Sequence, residues 1–251
     1  MTISAQNITF LGNSNYISFN TFATANKFGF DITQDGVEIR NIEVREGWDD
    51  FDGYVGGNLT SASIRYNAGT SLLNQTIFDS NLTGRGIYAS DIVRVSSGSH
   101  SIKIFNSTIG ISGGGLNSAD YEIAILSNNS NVSVINSTFI YDKHRFNGTN
   151  GFFTYEYYFE VKVQDNTGAP LVNVSVLVYD RSNILRRNYT TGSDGTIGKE
   201  QHLAEYFRNG TGQFFFSNYT VNVTKAPYSN KSQSFNMTGH TSLSFTLIPN
   251  P

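Results

Sequence analysis

Ile104-Phe105-Asn106-Ser107-Thr108-Ile109 and, thirty residues on, Val134-Ile135-Asn136-Ser137-Thr138-Phe139 are written in one register. Each has an apolar residue two places before an Asn and another three places after it. The match extends upstream at the same offset, pairing Val93 and Val95 with Ile123 and Ile125, and Ile102 and Ile104 with Val132 and Val134. Two earlier segments fit the frame, Ile39-Arg-Asn41-Ile-Glu-Val44 and Leu72-Leu-Asn74-Gln-Thr-Ile77, so the four Asn are spaced 33, 32 and 30 residues apart. A period of this size belongs to a stacked architecture in which each unit buries its apolar face against the next. Apolar residues in period two, broken by Gly, Ser and Asn, predict three short strands per coil. The recurrent Asn predicts a sharp turn, because Asn tolerates left-handed backbone and its amide can join a hydrogen-bonded ladder.

Over roughly residues 1 to 148 these features resemble the right-handed parallel β-helix of the pectin-lyase-like family. The alternative is an antiparallel sandwich, since short strands with Asn turns occur in many all-β folds. A ladder Asn is expected to point inward. Asn74, Asn106 and Asn136 are then either ladder residues or sugar carriers, but not both. The extended segment from Ile3 to Phe10 either donates a strand to a neighbour or caps its own β-helix, the second being the expectation.

From Phe152 the texture changes. Tyr155, Tyr157, Phe159, Val161 and Val163 alternate with mostly polar residues and predict a half-buried strand with an aromatic inner face. Asp165-Asn-Thr-Gly168-Ala-Pro170 supplies a turn, and Val172, Val174, Val176 and Val178 predict a second alternating strand. Thr191-Gly-Ser-Asp194-Gly195-Thr is a further turn. This order resembles the carboxypeptidase regulatory-domain-like or transthyretin-like sandwich, with further strands at Tyr219–Val223 and Leu243–Leu247. The resemblance implies a structural or spacer module and carries no catalytic residue over. Gly198 to Phe216, with Glu200, His202, Glu205 and Arg208, is longer than a strand connection needs and is expected to be a loop-side elaboration. The chain is thus predicted to be all-β, with a β-helix-like repeat domain at 1–150 followed by an antiparallel β-sandwich at 151–251.

Sixteen Asn-X-Ser/Thr sequons occur in 251 residues, where 28 Asn, 28 Ser and 23 Thr placed at random give about six. Twelve have Thr in the third position although Ser is commoner overall, so the triplets do not simply mirror composition. They predict N-glycan acceptors at Asn7, Asn58, Asn74, Asn81, Asn106, Asn128, Asn131, Asn136, Asn147, Asn173, Asn188, Asn209, Asn218, Asn222, Asn230 and Asn236. The loop sequons at Asn58, Asn128 and Asn147 are the best of these. The competing reading is that Asn, Ser and Thr gather in turns and strand edges without any sugar.

Only 15% of residues are charged, the net charge is −3 and the pI is about 5.8, so there is no basic footprint for nucleic acid. Cysteine is absent, which excludes a disulfide-stapled module and thiolate metal sites. Many sequons without cysteine resemble archaeal surface glycoproteins. No stretch reaches the ~18 apolar residues of a membrane span, and the N-terminus lacks a signal region. The chain is therefore read as processed or as a fragment, with any tether lying beyond Pro251.

Chemistry is sparse. His100, His144, His202 and His240 lie far apart with no metal-ligand spacing, and read as surface or strand-edge histidines. Glu200, His202 and Glu205 cluster without the second histidine that zinc requires. In Trp48-Asp49-Asp50-Phe51-Asp52-Gly53-Tyr54 the three carboxylates around a Gly turn offer Ca²⁺ ligands, and Trp48 and Tyr54 offer sugar-stacking rings. A solvated acidic turn beside a buried Trp is the plainer reading. Asp79, Arg85, Asp91 and Arg94 are the one set suited to a polysaccharide lyase or hydrolase. The expected function is a non-enzymatic, extracellular, heavily N-glycosylated structural protein of the cell surface (a surface-layer, stalk or filament subunit), self-associating through β-edges or coil ends. The alternative is an adhesin or carbohydrate-binding module that uses Trp48, Tyr54 and the Tyr155 to Phe159 run. No catalytic residue, metal or cofactor is assigned.

Overall fold

The computed structural model describes residues 2–3, 9–11, 16–20, 28–47, 61–68, 72–84, 90–111, 121–140, 143–198 and 201–251. It is all-β in these residues. The chain divides into two compact units, Met1–Phe153 with Arg208–Gly212, and Thr154–Phe207 with Gln213–Pro251.

The first unit is β-helix-like, with three strands to each coil. These are β1 (Thr2–Ile3), β2 (Thr9–Leu11) and β3 (Tyr16–Asn20); β4 (Phe28–Ile32), β5 (Glu38–Arg40) and β6 (Glu43–Gly47); β7 (Ser61–Asn67), β8 (Leu72–Phe78) and β9 (Asn81–Gly84). They continue as β10 (Ser90–Ser97), β11 (His100–Phe105) and β12 (Thr108–Ile111), then β13 (Tyr121–Ile125), β14 (Asn131–Ile135) and β15 (Thr138–Phe139), with β16 (His144–Phe146) opening a further coil. Strands in corresponding positions stack into three parallel sheets, β1-β4-β7-β10-β13-β16, β2-β5-β8-β11-β14 and β3-β6-β9-β12-β15. Parallel stacking is what the repeat demands, because each coil presents the same apolar set to the next. Val93 and Val95 pair with Ile123 and Ile125, and Ile102 and Ile104 with Val132 and Val134, as the offset of 30 requires. All eight are fully buried or nearly so. Ile3 of β1 and Phe10 of β2 pair with Ile32 of β4 and Ile39 of β5 in the same chain.

One register differs from expectation. Ile77 pairs with Ile39 and with Ile104, so the turn residue of the third coil is Asp79 and not Asn74. Leu72 pairs with His100 but Gln75 with Ile102, leaving Leu73 and Asn74 opposite the single residue Ser101. Asn74, at φ 56°, is therefore part of a β-bulge. The equivalent corner residues are Asn41, Asp79, Asn106 and Asn136, all left-handed at φ 50°, 49°, 48° and 47°.

The second unit contains most of β17 (Phe152–Asp165) and β20 (His202–Asn209), with β18 (Ser175–Tyr179), β19 (Leu185–Thr190), β21 (Gly212–Phe215), β22 (Tyr219–Thr224), β23 (Lys231–Phe235) and β24 (Thr241–Leu247). One sheet has the antiparallel order β19-β18-β22-β23, and in the other β24, β17, β20 and β21 are successive neighbours. Phe159, Val161, Val163, Val174, Val176, Val178, Val221, Val223, Phe245 and Leu247 fill the core between them. Val172 lies outside β18 and is exposed, and Gly198 to Phe216 supplies β20 and β21 where an elaborated loop was expected.

Candidate functional site

The corner between the second and third sheets of the first unit carries two ladders on opposite sides of the backbone. The outer one is built from Asp79, Asn106 and Asn136. Asn136 Nδ2 donates to Asn106 Oδ1 at 2.9 Å, and Asn106 Nδ2 donates to Asp79 Oδ1 at 3.2 Å. All three side chains are exposed, which corrects the expectation that ladder asparagines point inward. The left-handed turn at each corner swings the Asn outward and sends the next residue in.

That next residue is serine in three coils. Ser107 N–H donates to Ser137 Oγ at 3.0 Å, Ser80 N–H to Ser107 Oγ at 3.1 Å, and Ile42 N–H to Ser80 Oγ at 3.4 Å. Each hydroxyl in turn donates to the carbonyl two residues back, of Phe78, Phe105 and Ile135. Ser80, Ser107 and Ser137 are 3 to 4% exposed, so buried backbone N–H groups at a bend that breaks the strand ladder find partners there. The repeated Asn-Ser dipeptides at 106–107 and 136–137 were the signal for this inner ladder.

Because the ladder amides face outward, the ladder and sugar-carrier readings no longer compete at Asn106 and Asn136. Among the described residues Asn74, Asn81, Asn106, Asn128, Asn136, Asn147, Asn173, Asn188, Asn218, Asn230 and Asn236 are exposed, while Asn131, Asn209 and Asn222 are half-buried. Asn7 and Asn58 lie outside the described residues. Asn209 Oδ1 accepts from the Thr211 N–H and Oγ1 at 2.9 and 2.8 Å, closing the sequon into a turn.

The other candidates fare differently. Asp79 sits at the corner after β8, whereas Asp91 and Arg94 fall on β10 of a different sheet, and Arg85 lies outside the described residues. Among the described residues Asp79 therefore lies on a different part of the coil from Asp91 and Arg94. Trp48 to Tyr54, with Asp49, Asp50 and Asp52, and Glu200 also lie outside the described residues. No group of three or more His, Asp or Glu suited to a metal is present among the described residues.

One histidine is buried and another half-buried, where surface or strand-edge positions were expected. His100 is 2% exposed and its Nδ1 accepts from Leu72 N–H at 3.1 Å. His144 packs with Phe139 and Phe153, and its Nδ1 accepts from the Arg208 guanidinium at 3.0 Å. Burial, reinforced by the Arg208 charge, lowers its pKa to about 3, so it is neutral at physiological pH. Glu122 is fully buried in β13 and accepts from the Ile140 and Lys143 N–H groups at 2.8 and 3.0 Å.

In the second unit Glu156, which alternates with the expected aromatic face and so falls on the side expected to be polar, is 6% exposed. It meets His202 Nδ1 through one oxygen and accepts from Thr154 Oγ1 at 2.6 Å through the other. Burial alone would raise its pKa; the hydrogen bond and charge of His202, the Thr154 hydroxyl and Arg187 hold it below the usual carboxylate range. Glu205 is raised, mainly by burial. Tyr155 and Tyr157 are half-buried, meet edge to face at 5.2 Å, and Phe159 is buried in the core, so this run offers no flat exposed platform.

No family model matches the chain, and no curated protein matches it. Among solved structures, the Bacillus anthracis TIE protein aligns over 39% of this chain and 18% of its own, at 14% identity and a TM-score of 0.26. The matched region is thus a small part of that protein. No described helix is long and apolar enough to cross a membrane.

Proposed function

We propose that the chain is a non-enzymatic, N-glycosylated structural protein of the cell exterior, a subunit of a surface layer, stalk or filament that associates with itself. One observation carries this reading: none of the fourteen sequon asparagines among the described residues is buried, although many strand residues beside them are. Two all-β units joined in one chain support it, because open coil ends and sheet edges are templates for pairing. The scattering of Asp79, Asp91 and Arg94 favours it over a polysaccharide-cleaving enzyme. A second reading, an adhesin or carbohydrate-binding module, draws on Phe214 and Phe215 of β21, which are 44% and 47% exposed.

The test is electron microscopy of native material together with intact mass and glycopeptide mapping. Ordered sheets or filaments whose chains each carry several sugars are the expected result. Dispersed particles without sugar would overturn the reading, and retention on a polysaccharide column abolished by Phe214→Ala and Phe215→Ala would favour the second.

A further inference from the structure

In the second unit the sequons are distributed over one sheet only. Asn188 lies in β19 and Asn222 in β22, while Asn173, Asn218, Asn230 and Asn236 lie within two residues of the ends of β18, β22 or β23. All six belong to the sheet β19-β18-β22-β23. The strands β17, β20, β21 and β24 hold no sequon except Asn209, the last residue of β20, which belongs to the first unit.

The register sharpens the pattern. Leu177 pairs with Asn188 on one side and Asn222 on the other, so both asparagines fall in one row across the sheet. Two strand steps separate them by about 10 Å. Ser175, the hydroxyl residue of the Asn173 sequon, pairs in the same way with Thr190 and Thr224, the hydroxyl residues of the other two. The alternation of β22 buries Tyr219, Val221 and Val223 and so turns Asn222 to the outer face.

The edges of this sheet are otherwise poorly defended. β19 and β23 are its outermost strands and nearly every residue in them is exposed. Beside β19, Ile184 is 51% exposed, and within it Leu185 is 48% exposed. Bare edges of this kind recruit a further strand unless something bulky or charged blocks the approach. Arg186 and Arg187 supply charge at β19, but β23 has only Lys231 at its start. Asn188 sits within the first edge, and Asn230 and Asn236 bracket the second.

We propose that N-linked oligosaccharides on these six asparagines form a one-sided layer that guards both edges of the β19-β18-β22-β23 sheet against strand pairing. Self-association is thereby directed away from this sheet. The inference rests on the glycoprotein reading above and adds to it which surface carries the sugar and what the sugar prevents there.

The test compares the native chain with the same chain made in a host lacking N-glycosylation, using glycopeptide mapping, sedimentation and amide hydrogen exchange. The expected result is sugar on at least Asn188 and on Asn230 or Asn236. Without sugar, larger oligomers should form in which β19 and β23 amides exchange at least about tenfold more slowly. Asn188→Lys with Gln233→Lys in the sugar-free chain should restore dispersal. If the sugar-free chain fails to fold, Thr190→Val and Asn230→Gln made singly in the native host remove one guard each and should slow exchange only at the adjoining edge. Sugar confined to the first unit would overturn this inference and leave the glycoprotein reading standing, whereas sugar nowhere would overturn both. Occupied sites with edge exchange unchanged on their removal would overturn the guarding role alone.

Discussion

Replacing Asn106 by Ala separates the roles that its position combines. The residue holds φ 48°, donates to Asp79 and accepts from Asn136, and its side chain is exposed. Alanine in left-handed backbone costs about 1 kcal/mol more than Asn, whose short polar side chain suits that region. Two solvent-exposed hydrogen bonds add about 0.5 kcal/mol each, the low end of their usual range. The expected loss is about 2 kcal/mol in the sugar-free chain, read by urea denaturation with the slope unchanged. Asn106→Gly relieves the backbone strain and keeps the loss of the ladder, so it should cost about half as much. Thr108→Val deletes the sequon without touching either feature and should leave stability within about 0.5 kcal/mol. Equal losses for the Ala and Gly variants would refute the backbone argument. A larger loss for Thr108→Val than for Asn106→Ala would refute the ladder.

Ser107→Ala should cost about 1 to 3 kcal/mol, because it orphans the buried Ser80 N–H while the Phe105 carbonyl keeps the Asp79 N–H as donor at 3.0 Å; a loss no greater than that of an exposed serine would sink the inner ladder. Since the His144 pKa is lowered to about 3, the unfolded chain takes up a proton below about pH 6.5 that the folded one refuses. Stability should therefore fall as pH drops from 6.5 towards 3, by up to about 1.4 kcal/mol per pH unit from this group, and His144→Phe should flatten that slope. Gly148→Ala keeps the Asn147 sequon intact but would set a Cβ 1.9 Å from the Ser127 carbonyl oxygen, a backbone atom that cannot swing aside. Its melting temperature should fall by several degrees with the Asn147 sugar unchanged; an unaltered melting temperature would mean that the close approach is absent.

The β-helix-like half was legible where a chemical constraint repeats at every coil. Inward valines and isoleucines at a fixed offset favoured stacked strands in register over an antiparallel sandwich, and Asn at the corner reports the left-handed turn. The reading slipped at the third coil because it followed the letter Asn and not the backbone: Asp79 satisfies the same φ, and the bulge at Leu73 and Asn74 moves the frame. The direction of the ladder was misjudged for a related reason. A left-handed residue reverses the alternation of the strand before it, so the side that faces the core passes to the serine that follows. The burial of Glu122, Glu156 and His100 and the packing of half-buried His144 were illegible because they depend on partners far along the chain, namely the N–H groups of 140 and 143, His202, Leu72 and Arg208.

The one-sided sequon pattern was present in the sequence as a list of positions, but no periodicity reveals it. Asn173, Asn188 and Asn222 come together only once β18 is seen to lie between β19 and β22, an order that pairs β18 with a strand more than 40 residues further on. The same order makes β19 and β23 the edges. A sequon there meets two requirements at once, since the outer row of an edge strand is both reachable by a transferase and the place where a bulky group does most against unwanted pairing. In the β-helix-like unit Asn106 meets the first requirement but not the second, because its corner already has Asp79 on one side and Asn136 on the other. Loss of sugar at Asn106 should accordingly leave association unchanged, where loss at Asn188 should not.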